Sequence, residues 1–165
     1  MFTLFFLMPQ PTQTALLKTE VLKLQGYGKI TNGLIKKIAA NGELEIKNSE
    51  IEAIDINGTL YLQNVIIDHL KINGVLTIEA GRITTVLSNG DFKATGTQIT
   101  KAELRSKEIT IKSSKIGKLI FKKDPSHRQQ TIYISRSQID EIILEDKNAH
   151  IVQDKYSDIK KITYQ

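Results

Sequence analysis

The chain has 165 residues, a net charge of +5, no cysteine and no tryptophan, and 40% of it is hydrophobic. That length fits one domain with one buried core, and the 6% aromatic content makes that core an aliphatic one. Without cysteine, disulfides, thiolate nucleophiles and cysteine-based metal centres are excluded.

The first segment, Met1 to Met8, reads MFTLFFLM, and Pro9 to Ala15 follow it. A bilayer span needs about 20 apolar residues, so this run is too short to be one. It matches the apolar centre of an export signal with a small-residue cleavage site near Thr14-Ala15, although no Lys or Arg precedes Lys18. Residues 1–15 are expected to be such a signal. A short hydrophobic membrane anchor and a strand capping one end of the fold are the other readings.

From residue 16 onward the chain repeats. Asn-Gly occurs at Asn41-Gly42, Asn57-Gly58, Asn73-Gly74 and Asn89-Gly90, 16 residues apart each time. Aliphatic residues keep the same period: Leu44, Ile46, Ile51, Ile54 and Ile56 are followed by Leu60, Leu62, Ile67, Leu70 and Ile72. The L-x-I and I-x-I pairs are strand signals, with alternate residues on one face. No helical pattern separates them, which excludes βα units. A fixed register at every repeat requires a coil that returns to its starting point, so that equivalent residues stack. The sequence therefore predicts an all-β, single-stranded parallel β-helix of about eight 16-residue coils, right-handed by the crossover rule for parallel strands.

Asn-Gly suits a sharp corner because both residues tolerate positive φ, and the stacked asparagines are placed to form an amide ladder. A second corner is small or polar: Asn48-Ser49, Asn64-Val65, Ala80-Gly81, Gly96-Thr97, Ser113-Ser114 and Arg136-Ser137. The period slips by one residue at 105–106, an insertion occupies 122–130, and Ile151, Ile159 and Ile162 mark a degraded last coil. Residues 16–165 are thus one β-helix domain with a loop insertion at 122–130.

Few residues point to chemistry. His69, His127 and His150 fall at different repeat positions and do not stack, so neither a metal site nor a cofactor is expected. An acid–base glycosidase would need a consistently acidic column. The outward column Glu45, Tyr61, Thr77, Lys93, Thr110, Tyr133 is mixed, as is Asp55, Lys71, Leu87, Glu103, Ile120, Ile143. No catalytic residue is assigned, and no enzyme is expected. Basic and acidic residues number 5 and 1 over residues 1–40, 3 and 7 over 41–90, 10 and 4 over 91–128, and 5 and 6 over 129–165. Such axial alternation is read either as a solvated surface of drifting composition or as a guide to self-association, end to end or lateral. The basic stretch includes Lys101 and Lys118 in adjacent coils but lacks the interleaved aromatics of a nucleic-acid groove, so nucleic acid is not an expected partner. Candidate contact residues are the loop residues Lys122, Lys123, His127 and Arg128, because loops on rigid scaffolds carry function. The outward aliphatics Leu87, Ile120 and Ile143 are candidates for an apolar strip that meets another copy or the N-terminal segment.

The repeat Asn41-Gly42-x-Leu44-x-Ile46, closed by Ile54-x-Ile56-Asn57-Gly58, resembles the Gly-punctuated short-coil repeats of bactofilins over roughly residues 26–121. It is also similar to the repeats of exported, adhesin-like bacterial β-helix proteins. The first resemblance implies a right-handed β-helix core in a polymer-forming cytoskeletal protein, often with a hydrophobic N-terminal membrane anchor. The second implies an exported scaffold. The leading expectation is a non-enzymatic structural or adhesive scaffold in the periplasm or outside the cell, with a cell-surface or envelope component as partner. The alternatives are a bactofilin-like polymer in the cytoplasm, touching the membrane only through its N-terminal segment, and a ligand-binding module using the loop at 122–130.

Overall fold

Stacked strands, all parallel, make up a β-solenoid of about nine turns, with no helix among the described residues. The computed structural model describes residues 2–3, 17–126 and 129–165. Its strands are β1 (Phe2–Thr3), β2 (Leu17–Thr31), β3 (Gly33–Asn89), β4 (Phe92–Arg105), β5 (Glu108–Lys112), β6 (Lys115–Phe121), β7 (Thr131–Ser135), β8 (Gln138–Leu144), β9 (His150–Gln153), β10 (Asp158–Ile159) and β11 (Ile162–Tyr164). The ladder of β3 runs unbroken over 57 residues, because every coil, corners included, lies in register over the coil before it.

The register follows the sequence period. Leu22 pairs with Ile38 and Leu76 with Phe92, both 16 residues apart. From Phe92↔Ile109 the offset is 17, so the extra residue lies between Arg105 and Glu108. From Ile109↔Ile132 it is 23, which places the insertion between β6 and β7. The last coil is shorter in its strands, with Ile151 below Ile132 and Ile162 below Ile142. The weakly patterned C-terminal segment still closes the last turn, and the total of about nine agrees with the roughly eight coils expected.

Each coil turns its aliphatics inward. In the coil from Gly42, Leu44, Ile46, Ile51, Ile54 and Ile56 are all buried, while Glu52 and Ala53 are not. That break in alternation shifts the inward phase by one residue and lets the closing strand face the core again. The columns Leu44/Leu60/Leu76/Phe92/Ile109/Ile132 and Ile38/Ile54/Leu70/Val86/Ala102/Leu119/Ile142 fill the centre from end to end. Small residues enter beside Phe92: Ala94 and Ala102 share its coil. This keeps the volume per layer close to constant, as close packing demands.

Both predicted corners are present, but positive φ is distributed differently at the first. There it falls on the glycine alone, at Gly42 (127°), Gly58 (135°), Gly74 (136°) and Gly90 (122°), and not on the asparagines. Glycine is required by proximity as much as by φ. A Cβ on Gly58 would lie 2.0 Å from the carbonyl oxygen of Gly42 in the coil before it. At the second corner one residue per coil is left-handed: Asn48, Asn64, Ala80, Gly96, Ser113 and Arg136, with φ between 48° and 64°.

β1 pairs in parallel with the first coil at Phe2↔Leu22 and Thr3↔Lys23. The other residues of the 1–15 segment lie outside the described residues, and so do His127 and Arg128.

Candidate functional site

The polar groups of this protein concentrate at the corners, the outer faces and the inserted loop. The Asn-Gly corner carries the expected ladder. The Asn57 amide donates to Asn41 Oδ1 at 3.1 Å, Asn73 to Asn57 at 2.9 Å, and Asn89 to Asn73 at 2.9 Å. A shorter ladder runs along the second corner, where the Asn64 amide donates to Asn48 Oδ1 at 2.9 Å.

The serine after the left-handed residue has a hydrogen-bonding task that its small size alone did not reveal. Ser49 Oγ accepts from the Gly33 N–H one coil earlier at 2.9 Å and donates to its own Lys47 carbonyl at 2.7 Å. Ser114 does the same with Thr97 N–H and the Lys112 carbonyl, and Ser137 with Ser114 N–H and the Ser135 carbonyl. A left-handed residue turns its backbone groups away from the ladder, and the serine supplies the missing partner, since a buried N–H left unpaired is costly. The recurrence Ser49, Ser114, Ser137, Ser157 was the available signal. In the last coil Asp154 completes the series, accepting from Ser135 Oγ, Ser157 Oγ and the N–H groups of Arg136 and Tyr156. These bonds, those from Ser157 and Ser135 foremost, pull the Asp154 carboxyl down to about 2.

On the face after the Asn-Gly corner, Tyr61 donates to Glu79 Oε2 at 2.5 Å, and Lys47 lies 5.7 Å above its ring. The hydrogen bond to Glu79, helped by burial, pushes the phenol up to about 12. Glu45 bridges Lys47 at 2.8 Å and Lys29 at 3.2 Å. This network joins four successive coils through outward side chains.

The outward aliphatics do not form the expected strip. Leu87 is 37% exposed, Ile120 is half-buried and Ile143 is only 7% exposed. Glu103 stands between Leu87 and Ile120 in the column. Ile143 lies in the column between Ile120 of β6 and Thr163 of β11 and is buried. Ile143 is therefore not exposed as a contact in this structure.

The inserted loop is tied down by its last residue. Gln130 is fully buried, its Nε2 donating to the carbonyls of Ser106 (2.7 Å) and Lys122 (3.1 Å) and its Oε1 accepting from the Asp124 N–H (3.1 Å). Composition alone gave no sign of this role for Gln130. Lys122 is bound by Glu145 at 2.5 Å and lies 3.6 Å from Glu103, and the hydrogen bond to Glu145 holds its ammonium above the usual value. Lys122 serves the stack rather than a ligand, while the Lys123 side chain remains exposed. Lys101 and Lys118 do stack as expected, and Lys118 then meets Glu141. His69 and His150 lie on different columns and are exposed.

Among the described residues no cluster of His, Asp and Glu has metal-binding geometry, and no helix is long and apolar enough to cross a membrane. Comparison with protein-family models, with curated proteins and with solved structures yields no match.

Proposed function

We propose that the protein is a non-enzymatic structural or adhesive scaffold that works after export. The observation that supports this is how its polar groups are used. Along the stack, asparagine, serine, tyrosine and paired charged side chains bond to the neighbouring coil, so the residue types that could do chemistry serve rigidity instead. A solenoid of about nine turns at about 4.8 Å per turn is a rod about 43 Å long. A scaffold places its function in that shape. For a purely structural scaffold, single substitutions of outward residues that leave the fold intact by circular dichroism should therefore leave function intact, and substitutions at the corner glycines should remove fold and function together. One outward substitution that abolishes function in a folded protein would overturn the structural reading and leave the adhesive one. Export has its own test: fractionation, with mass spectrometry of the native N-terminus. An uncleaved, cytoplasmic protein would sink it.

One observation favours a second reading, a bactofilin-like polymer. Followed along the columns, the outer edge of the last coil complements the first. Asp158 shares a column with Lys18, Lys160 with Glu20, and Ile162 with Leu22. A second copy stacked in register would bring these pairs together, a heterologous contact that propagates without closing. β1 occupies part of that edge at Leu22–Lys23 and would have to move. Electron microscopy should then find filaments that Lys18→Glu shortens and that Lys18→Glu with Asp158→Lys restores. Monomeric particles at all concentrations and salts would remove this reading.

A further inference from the structure

From the asparagine ladder we infer a site of spontaneous deamidation, at which the direction of the hydrogen bonds decides which rung still fits the stack as an aspartate and which does not. In Asn-Gly the glycine nitrogen can attack Cγ of the preceding asparagine. The new N–Cγ bond forms as Nδ2 departs as ammonia, taking the proton the glycine nitrogen gives up. Water then opens the cyclic imide at either carbonyl, leaving aspartate or isoaspartate. All four sites, Asn41, Asn57, Asn73 and Asn89, are exposed to the water this needs. Attack also requires the side chain to swing out of the stack, and the rungs differ in what holds them. Asn57 and Asn73 each donate to one neighbour and accept from the other. Asn41 is tied into the ladder only as an acceptor and Asn89 only as a donor. The end rungs break one ladder bond to react, the inner rungs two.

The ends are not equivalent. Every amide donates toward the lower-numbered rung. An aspartate at 41 still accepts from the Asn57 amide, now with charge assistance. An aspartate at 89 has lost its donor and faces the Asn73 Oδ1 acceptor to acceptor. Asn73 is then tied once, and conversion proceeds up the stack from 89 toward 57.

The test is peptide mapping by mass spectrometry of the intact, folded chain held at mildly alkaline pH, beside the same chain in urea. The urea rates absorb the effect of the preceding residues, Ala40, Ile56, Ile72 and Ser88. Relative to urea, Asn57 and Asn73 should convert about fivefold more slowly than Asn41 and Asn89, the factor one further side-chain hydrogen bond of ordinary strength supplies. Conversion at Asn73 should rise once Asn89 has reacted. Equal protection at all four sites, or inner rungs reacting first, overturns the proposal. The polarity is tested separately by Asn41→Asp and Asn89→Asp: the first should keep the thermal midpoint and the second lower it, and equal effects would refute it.

Discussion

At the scale of single residues, two positions separate backbone demands from packing demands. Gly58 has φ of 135° and would drive a Cβ to 2.0 Å from the Gly42 oxygen, whereas Gly26 has φ of 81° and nothing within 4 Å. Gly58→Ala should destabilise by about 3–5 kcal/mol, in the range of strained and overpacked substitutions. Gly26→Ala should cost about 1–2 kcal/mol, the left-handed strain alone. Urea titration of the two variants checks the contrast, and equal losses would show that stacking distance is not what the glycine column protects. Ser88 is the converse case. Its hydroxyl is buried in the aliphatic core without a hydrogen-bond partner among the described residues. Ser88→Ala removes that polar group and is expected to raise stability by about 1 kcal/mol. A loss of stability in the same titration would mean that the hydroxyl is satisfied in solution.

At the scale of elements, the loop between β6 and β7 and the coil that carries β9 and β10 each depend on one polar side chain. Gln130 closes the loop against Ser106, Lys122 and Asp124. Gln130→Leu strands three backbone groups and should cost about 2–3 kcal/mol, and limited proteolysis should then cut within 122–130 while the coils on either side resist. If cleavage does not increase, the loop is held by something other than Gln130. Asp154 binds the last corner to the one before it. Its carboxyl lies below its ordinary value of 3.8, at about 2. A depressed carboxyl contributes its stabilisation above the unfolded value and loses it as the pH falls through the folded one. Hydrogen-exchange protection in β9 and β10, taken relative to the intrinsic exchange rate at each pH, should fall between about pH 4 and 2. Asp154→Asn should abolish that step, and an unchanged step in the variant would assign it to another group.

For the molecule as a whole, stability is a sum of neighbour interfaces. Ordering a coil fixes each backbone residue at about 1–2 kcal/mol, which its few buried aliphatics, at about 2 kcal/mol each, do not offset alone. The middle coils are covered on both sides. The last pairs with one neighbour among the described residues, and its Ile151 and Ile159 are only partly buried. Native-state hydrogen exchange should therefore show protection highest in β3 and β4 and falling toward β9, β10 and β11. Uniform protection would indicate a single cooperative unit or further contacts at the C-terminal coil. The surface ion pairs lie on exposed faces, where each contributes little, so added salt should shift this profile only slightly.

The sequence by itself determined the coil. A period of 16 in Asn-Gly and in the inward aliphatics can be satisfied only by a chain that returns above itself, so the parallel register, both corners, the amide ladder, the slip at 105–106 and the insertion at 122–130 were legible. These features recur, and recurrence is what a lone sequence displays. Tertiary structure decided what depends on neighbours in the adjacent coil. Positive φ went to the glycines and not to the asparagines, because the glycine stack leaves no room for a Cβ. Ile143 was buried between the coils that carry Ile120 and Thr163, which only the register brings beside it. Gln130 became the anchor of a loop because Ser106, 24 residues away in the chain, lies within hydrogen-bond reach. The Gln130 anchor is a contact made once, between residues that the period does not relate.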